Sequence, residues 1–159
     1  MMNAVKFSDE SLKLFDEIVG RYPKKEAAML PVLYLAQREF GCLSAEAIEY
    51  VAAIMGVPAA RVYGVVTFYT MLNMKPIGRH HIQVCRTLPC ALAGAERMTA
   101  AIQSKLGIGV GETTADGKFT LSEVECLASC GTAPMMQVND DYYENLNEQS
   151  VGEILDKLK

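Results

Sequence analysis

Four of the five cysteines stand in two short runs, V-C-R-T-L-P-C with Cys85 and Cys90, and E-C-L-A-S-C-G-T-A-P with Cys126 and Cys130. The pattern is C-x4-C, thirty-five residues, then C-x3-C. Four thiolates bind Zn²⁺ or an iron-sulfur cluster, because both favour tetrahedral sulfur ligation at each metal. A [2Fe-2S] cluster takes two ligands on each of two irons, and two separate pairs supply them. Structural zinc knuckles of C-x2-C to C-x4-C spacing stay compatible, so spacing alone favours the cluster over zinc without deciding between them. Paired disulfides are the poorer reading in a reducing compartment. The plant-type ferredoxin run C-x4-C-x2-C matches only in its first interval, and the sequence holds no C-x-x-C dithiol. L-A-S-C-G-T-A brings small residues to the second pair, so backbone N–H groups can approach the sulfurs of an anionic cluster.

For two distant loops to share one metal group, the elements feeding them must end side by side. H-I-Q-V-C before Cys85 and F-T-L-S-E-V-E-C before Cys126 each read as a strand, which brings both loops to one sheet edge. Residues 91–106 read as a helix, P-M-M-Q-V with N-D-D-Y-Y-E as a hairpin, and Glu148 to Leu158 as a last helix. Strand, helix, strand, hairpin, helix is the order of a small α/β layer fold in which helices cover a short sheet.

Residues 8–72 read as helices. Leu12, Phe15, Ile18 and Val19 form one apolar stripe behind a Ser8 cap, and Ile48, Val51, Ala52 and Met55 form another behind Ser44. Gly41 and Gly56 stand where these helices stop. Pro31 either opens a helix or kinks one. Pro58 reads as the first-turn proline of R-V-Y-G-V-V-T-F-Y-T-M-L, a segment so apolar all round that it is expected to be sandwiched. Proline and glycine in M-K-P-I-G-R-H, residues 74–80, mark a boundary between a helical bundle at 1–75 and an α/β domain at 76–159.

At 159 residues, half of them hydrophobic, the chain can bury a core without disulfide staples. Its net charge of -4 comes from interspersed acids and bases, so nothing advertises a nucleic-acid partner. A-A-M-L-P-V-L-Y-L-A at 27–36 falls short of the ~20 apolar residues of a membrane helix and contains Pro31, so no direct membrane insertion is expected. The first residues carry no export signal, and the expected setting is cytoplasmic.

Other residues have plainer readings. Cys42, far from any other cysteine, reads as a small buried hydrophobe. His80 and His81 are neighbours on a strand and point to opposite faces, so they do not make the histidine pair of a Rieske centre. G-I-G-V-G-E at 107–112 follows a helix instead of joining a strand to one, so it reads as a turn and not a dinucleotide loop. Phe68 and Tyr69 read as packing residues, N-D-D-Y-Y-E as a turn with a solvated edge, and Met135 and Met136 as cover over the second cysteine loop.

Taken in order, V-T-F-Y-T-M-L at 66–72, P-I-G-R-H-H-I-Q-V-C at 76–85, T-L-P-C at 87–90, T-A-D-G-K-F-T-L at 114–121 and E-C-L-A-S-C-G-T-A-P at 125–134 carry a resemblance. Along nearly its whole length the chain resembles the thioredoxin-like [2Fe-2S] subunit of respiratory complex I, the E-subunit family of NADH-quinone oxidoreductase. The resemblance implies an α+β organisation, a helical bundle followed by a thioredoxin-like [2Fe-2S] ferredoxin domain. It implies one [2Fe-2S] cluster on Cys85, Cys90, Cys126 and Cys130. It also implies an electron-transfer subunit of an NADH dehydrogenase that exchanges single electrons with the FMN of a flavoprotein partner. FMN and NADH then belong to that partner, no complete active site lies on this chain, and any membrane association is peripheral, through the larger complex. The same subunit type serves NAD-linked hydrogenases and formate dehydrogenases, which leaves the final acceptor open. A zinc-stabilised interaction module is the rival from another class, and a thiol redox enzyme is a third reading. Ala128 departs from the family's C-L-G-x-C, and alanine costs about 1 kcal/mol or more wherever the backbone takes φ > 0.

Overall fold

The computed structural model describes residues 5–158. The chain falls into two compact units divided between Pro76 and Ile77.

The first unit contains helices α1 (Asp9–Gly20), α2 (Met29–Phe40), α3 (Ala45–Met55) and α4 (Ala59–Phe68). Ser8 and Ser44 cap α1 and α3, each accepting an otherwise orphaned backbone N–H at 3.3 Å, from Ser11 and Ala47. Gly41 and Gly56 end α2 and α3 at φ 79° and 70°, where a side chain is strained. Pro31 lies in the first turn of α2, just after a 3-10 turn at Lys25–Ala28, so its missing N–H breaks no helical bond. The apolar stripes meet in one core around Val32, Leu33, Leu43 and Val51, with the Phe7 ring 5.4 Å from Phe40 and 5.3 Å from Tyr50.

Two expectations fail in this unit. Helix α4 stops at Phe68, where Tyr69 turns to φ -91° and ψ 115°, and it is not sandwiched. Only its Val62 and Val66 stripe is buried, four residues apart on one face, while Tyr63 is exposed and Phe68 is 76% exposed. Cys42 is half-buried, because it follows the left-handed turn at Gly41 and lies outside the helix core.

The second unit is a four-stranded sheet of β1 (His80–Cys85), β2 (Phe119–Val124), β3 (Met136–Val138) and β4 (Asp141–Tyr143), in the order β2-β1-β3-β4. Strands β1 and β2 are parallel, and the hairpin β3–β4 adds antiparallel to β1. Helices α5 (Leu88–Ala93) and α6 (Ala95–Leu106) make the crossover, and α7 (Glu148–Lys157) closes the unit behind a capping box of Asn147 and Ser150. The single helix expected at 91–106 is therefore two, because Gly94 at φ 103° interrupts it and α5 begins earlier. Met98, Ile102, Val151 and Leu155 of the helices share a core with Ile82, Leu121 and Met136 of the sheet.

Candidate functional site

Parallel pairing sets the site. Cys85 closes β1 directly opposite Val124, the last residue of β2, and the Arg86 N–H donates to the Val124 carbonyl at 3.0 Å. Both cysteine loops thus leave the same end of the sheet. Cys90 sits in α5, whose first turn takes Pro89 without losing a hydrogen bond. Cys126 follows β2, and Cys130 opens a 3-10 turn at Cys130–Thr132.

The thiols form two pairs. Cys85 and Cys90 are buried, while Cys126 and Cys130 are exposed with their sulfurs 3.8 Å apart. The pairs also influence one another: the charge of Cys130 acts on Cys90, and that of Cys85 on Cys130. Ala128 N–H donates to Cys126 Sγ at 3.3 Å, and Thr87 Oγ1 lies 3.3 Å from Cys85 Sγ. Burial pushes the Cys85 thiol up, yet the hydrogen bonds from Thr87, Leu127 and Cys90 outweigh it and favour its thiolate. Burial, then the Cys85 thiol, push Cys90 up to about 11. Cys126, by its hydrogen bond to Cys130, raises the Cys130 thiol, and the charges of Cys126 and Cys85 add to this. Sulfurs close enough to oppose each other's ionisation are the arrangement a cationic metal group relieves, displacing protons as it binds.

Both loops are braced from outside. Arg86, after Cys85, donates from Nε and Nη2 to Glu125 Oε1, before Cys126, at 3.1 and 2.8 Å. The Tyr142 hydroxyl donates to the Leu127 carbonyl at 3.0 Å, and the Glu144 carboxylate accepts from Ser129 Oγ and from Thr132 Oγ1, the latter at 2.6 Å. The run N-D-D-Y-Y-E is thus more than a turn with a solvated edge. Asn139 does make the turn at φ 54°, but Tyr142 and Glu144 reach the cysteine loop. Their spacing of two at the end of a strand, which puts both side chains on one face, is the signal in the sequence that points to a shared role.

His80 and His81 lie at the start of β1, away from the thiols at its end. His81 is buried with Nε2 2.9 Å from Ser122 Oγ, and the His80 ring lies 5.3 Å from Phe119. Met135 and Met136 are buried just past the second loop. Residues 107–112 form a turn with Gly107 and Gly111 at φ 68° and 84°.

Among the described residues, no three His, Cys, Asp or Glu side chains converge on a point suited to a single metal ion. The donors come instead as two thiol pairs, with the Ala128 N–H directed at Cys126 Sγ. That donor set fits a two-iron cluster, with two thiolates for each iron and an amide donor for its negative charge.

The family model for thioredoxin-like [2Fe-2S] ferredoxin matches residues 15–159, and the chain belongs to that family. Among its relatives, the E subunit of NADH-quinone oxidoreductase from Rickettsia conorii is 50% identical over 156 residues, covering 96% of this chain and 93% of the relative. The mitochondrial NADH dehydrogenase [ubiquinone] flavoprotein 2 of Dictyostelium discoideum is 46% identical, over 96% of this chain and 63% of the relative. The crystal structure of an air-oxidised NAD+-reducing [NiFe]-hydrogenase shares the fold, with a TM-score of 0.70 at 19% identity over 82% of this chain and 22% of that one. The described helices include none long and apolar enough to cross a membrane.

Proposed function

We propose that this chain is the electron-transfer subunit of an NADH dehydrogenase, holding one [2Fe-2S] cluster on Cys85, Cys90, Cys126 and Cys130. The observation that carries the reading is the parallel register of β1 and β2, which sets Cys85 level with Val124 and releases both cysteine loops from one end of the sheet. When bound, the cluster supplies a one-electron redox couple. The chain's own residues do the rest. Cys85 and Cys90 anchor one side of the site within the core, while Cys126 and Cys130 bring the other side to the surface, where an electron can enter or leave. The Ala128 N–H, donating to Cys126 Sγ, offsets negative charge gathered on sulfur.

The partner is a flavoprotein subunit that binds NADH and FMN and passes electrons one at a time. A docking face beside the cysteines supports this: Leu88 and Leu92, one helical turn apart on α5, are 70% and 80% exposed. NADH:quinone oxidoreductase is the complex favoured by the relatives at about half identity, and any membrane contact is made through that assembly.

Iron and acid-labile sulfide, assayed on anaerobically purified protein with EPR before and after dithionite, test the reading. Two irons and two sulfides per chain with a reduced-state signal are expected. Cys126→Ala should abolish the signal and Cys42→Ala should keep it; stoichiometric zinc without sulfide after anaerobic reconstitution, or an intact cluster in Cys126→Ala, overturns the assignment.

A further inference from the structure

Along the second cysteine loop Leu127 packs against the core of the sheet, but Ala128 and Gly131 are exposed and Ser129 is half-buried. Ala128 nevertheless sits at φ 62°, a conformation that an unconstrained alanine leaves. Hydrogen bonds from the hairpin fall on both sides of it. Tyr142 holds Leu127 by its carbonyl at 3.0 Å, and Glu144 holds the hydroxyls of Ser129 and Thr132, which lie 2.7 Å from each other. The backbone N–H fixed in this way is the one that donates to Cys126 Sγ.

We propose that Tyr142 and Glu144 are positioning residues for the metal site: they clamp Leu127, Ser129 and Thr132, hold Ala128 in its left-handed conformation, and so aim its N–H at the Cys126 sulfur. The clamp rests on the ligand assignment above. Glu144 has a second effect that Tyr142 lacks. Its carboxylate places a fixed negative charge against Ser129, the chain neighbour of Cys130. Removing that charge favours the added electron.

The test uses whole, cluster-loaded wild type, Glu144→Gln, Tyr142→Phe, Ala128→Gly and the Ala128→Gly/Glu144→Gln double variant. Redox titration of the EPR signal and the rate of visible bleaching in air are read together. Glu144→Gln is expected to raise the reduced-to-oxidised ratio at fixed potential about threefold, an upward shift of roughly 30 mV at 59 mV per tenfold for one electron. It should also bleach several times faster. Tyr142→Phe should bleach faster with the potential unmoved. Glycine at 128 needs no clamp, so the double variant should regain the slow bleaching of wild type while keeping the raised potential. If Glu144→Gln fails to load, restored loading in the double variant supports the clamp and continued failure overturns it. Wild-type potential and bleaching in Glu144→Gln, or fast bleaching that glycine does not rescue, also overturns it. Wild-type protein lacking iron and sulfide sinks the ligand assignment itself, an outcome distinct from a loaded wild type whose variants behave alike.

Discussion

His81 shows burial alone setting a protonation state. It is 9% exposed, its Nε2 lies 2.9 Å from Ser122 Oγ, and its backbone N–H donates to Asn139 Oδ1 at 2.9 Å, so the polar groups that meet it are neutral. Burial lowers its pKa below the ordinary histidine value. The unfolded chain, titrating near about 6.5, then binds more protons than the folded one, and stability must rise with pH. The histidine imposes no penalty above about 6.5, and stability falls as pH drops from there through the lower folded value. Urea midpoints between pH 7.5 and 5 should therefore decline more steeply for wild type than for His81→Gln; parallel declines would assign the pH sensitivity to other groups. Ala128 is the residue where the sequence said most. Its departure from the family's glycine pointed to a strained backbone, and φ is 62°. The restraint on that strain was legible only as the spacing that puts Tyr142 and Glu144 on one face, since their types are equally at home in a solvated hairpin and do not say which loop they hold.

The strand pair β1–β2 is the element on which the site depends, since its parallel register brings Cys85 level with Val124. Gly78 lies just before it, with its N–H donating to Thr120 Oγ1 at 2.6 Å. A Cβ there would come within 2.8 Å of the Lys118 and Phe119 backbone, which has no flexible end to move aside. Gly78→Ala should cost about 1–3 kcal/mol, as overpacking does, and weaken cluster retention by loosening the start of the strands. Gly20→Ala, on a helix with nothing within 4 Å of its added methyl, is the control and should stabilise slightly. Equal urea midpoints for the two variants would show that the sheet yields at Gly78. Strands and capped helices were readable here because periodicity and caps are local. The break at Gly94 was less readable, since a glycine is also tolerated inside a helix, and α4 misled because apolar composition does not say which face is covered.

At the scale of the molecule, each unit closes a core of its own: Val32, Leu33 and Val51 in the first, Ile82, Leu121 and Ile102 in the second. The four thiols, the Arg86–Glu125 bridge and the Tyr142–Glu144 clamp all lie within the second unit. A core in a unit of about 80 residues rarely supplies more than a few kcal/mol, so a metal group bound there contributes visibly to its folding. A fragment of residues 77–159 should consequently assemble the cluster with the EPR signal of the whole chain, and lose cooperative unfolding when the iron is chelated. In the whole chain the same chelation should lower the melting of the second unit and leave the helical unit's transition in place, visible as separation of one melting curve into two by circular dichroism. A fragment that stays colourless and unfolded after anaerobic reconstitution would mean that the helical unit supplies stability the second core lacks. The two units would then be one cooperative structure despite their separate cores, and the cluster's stability would depend on residues far from any thiol.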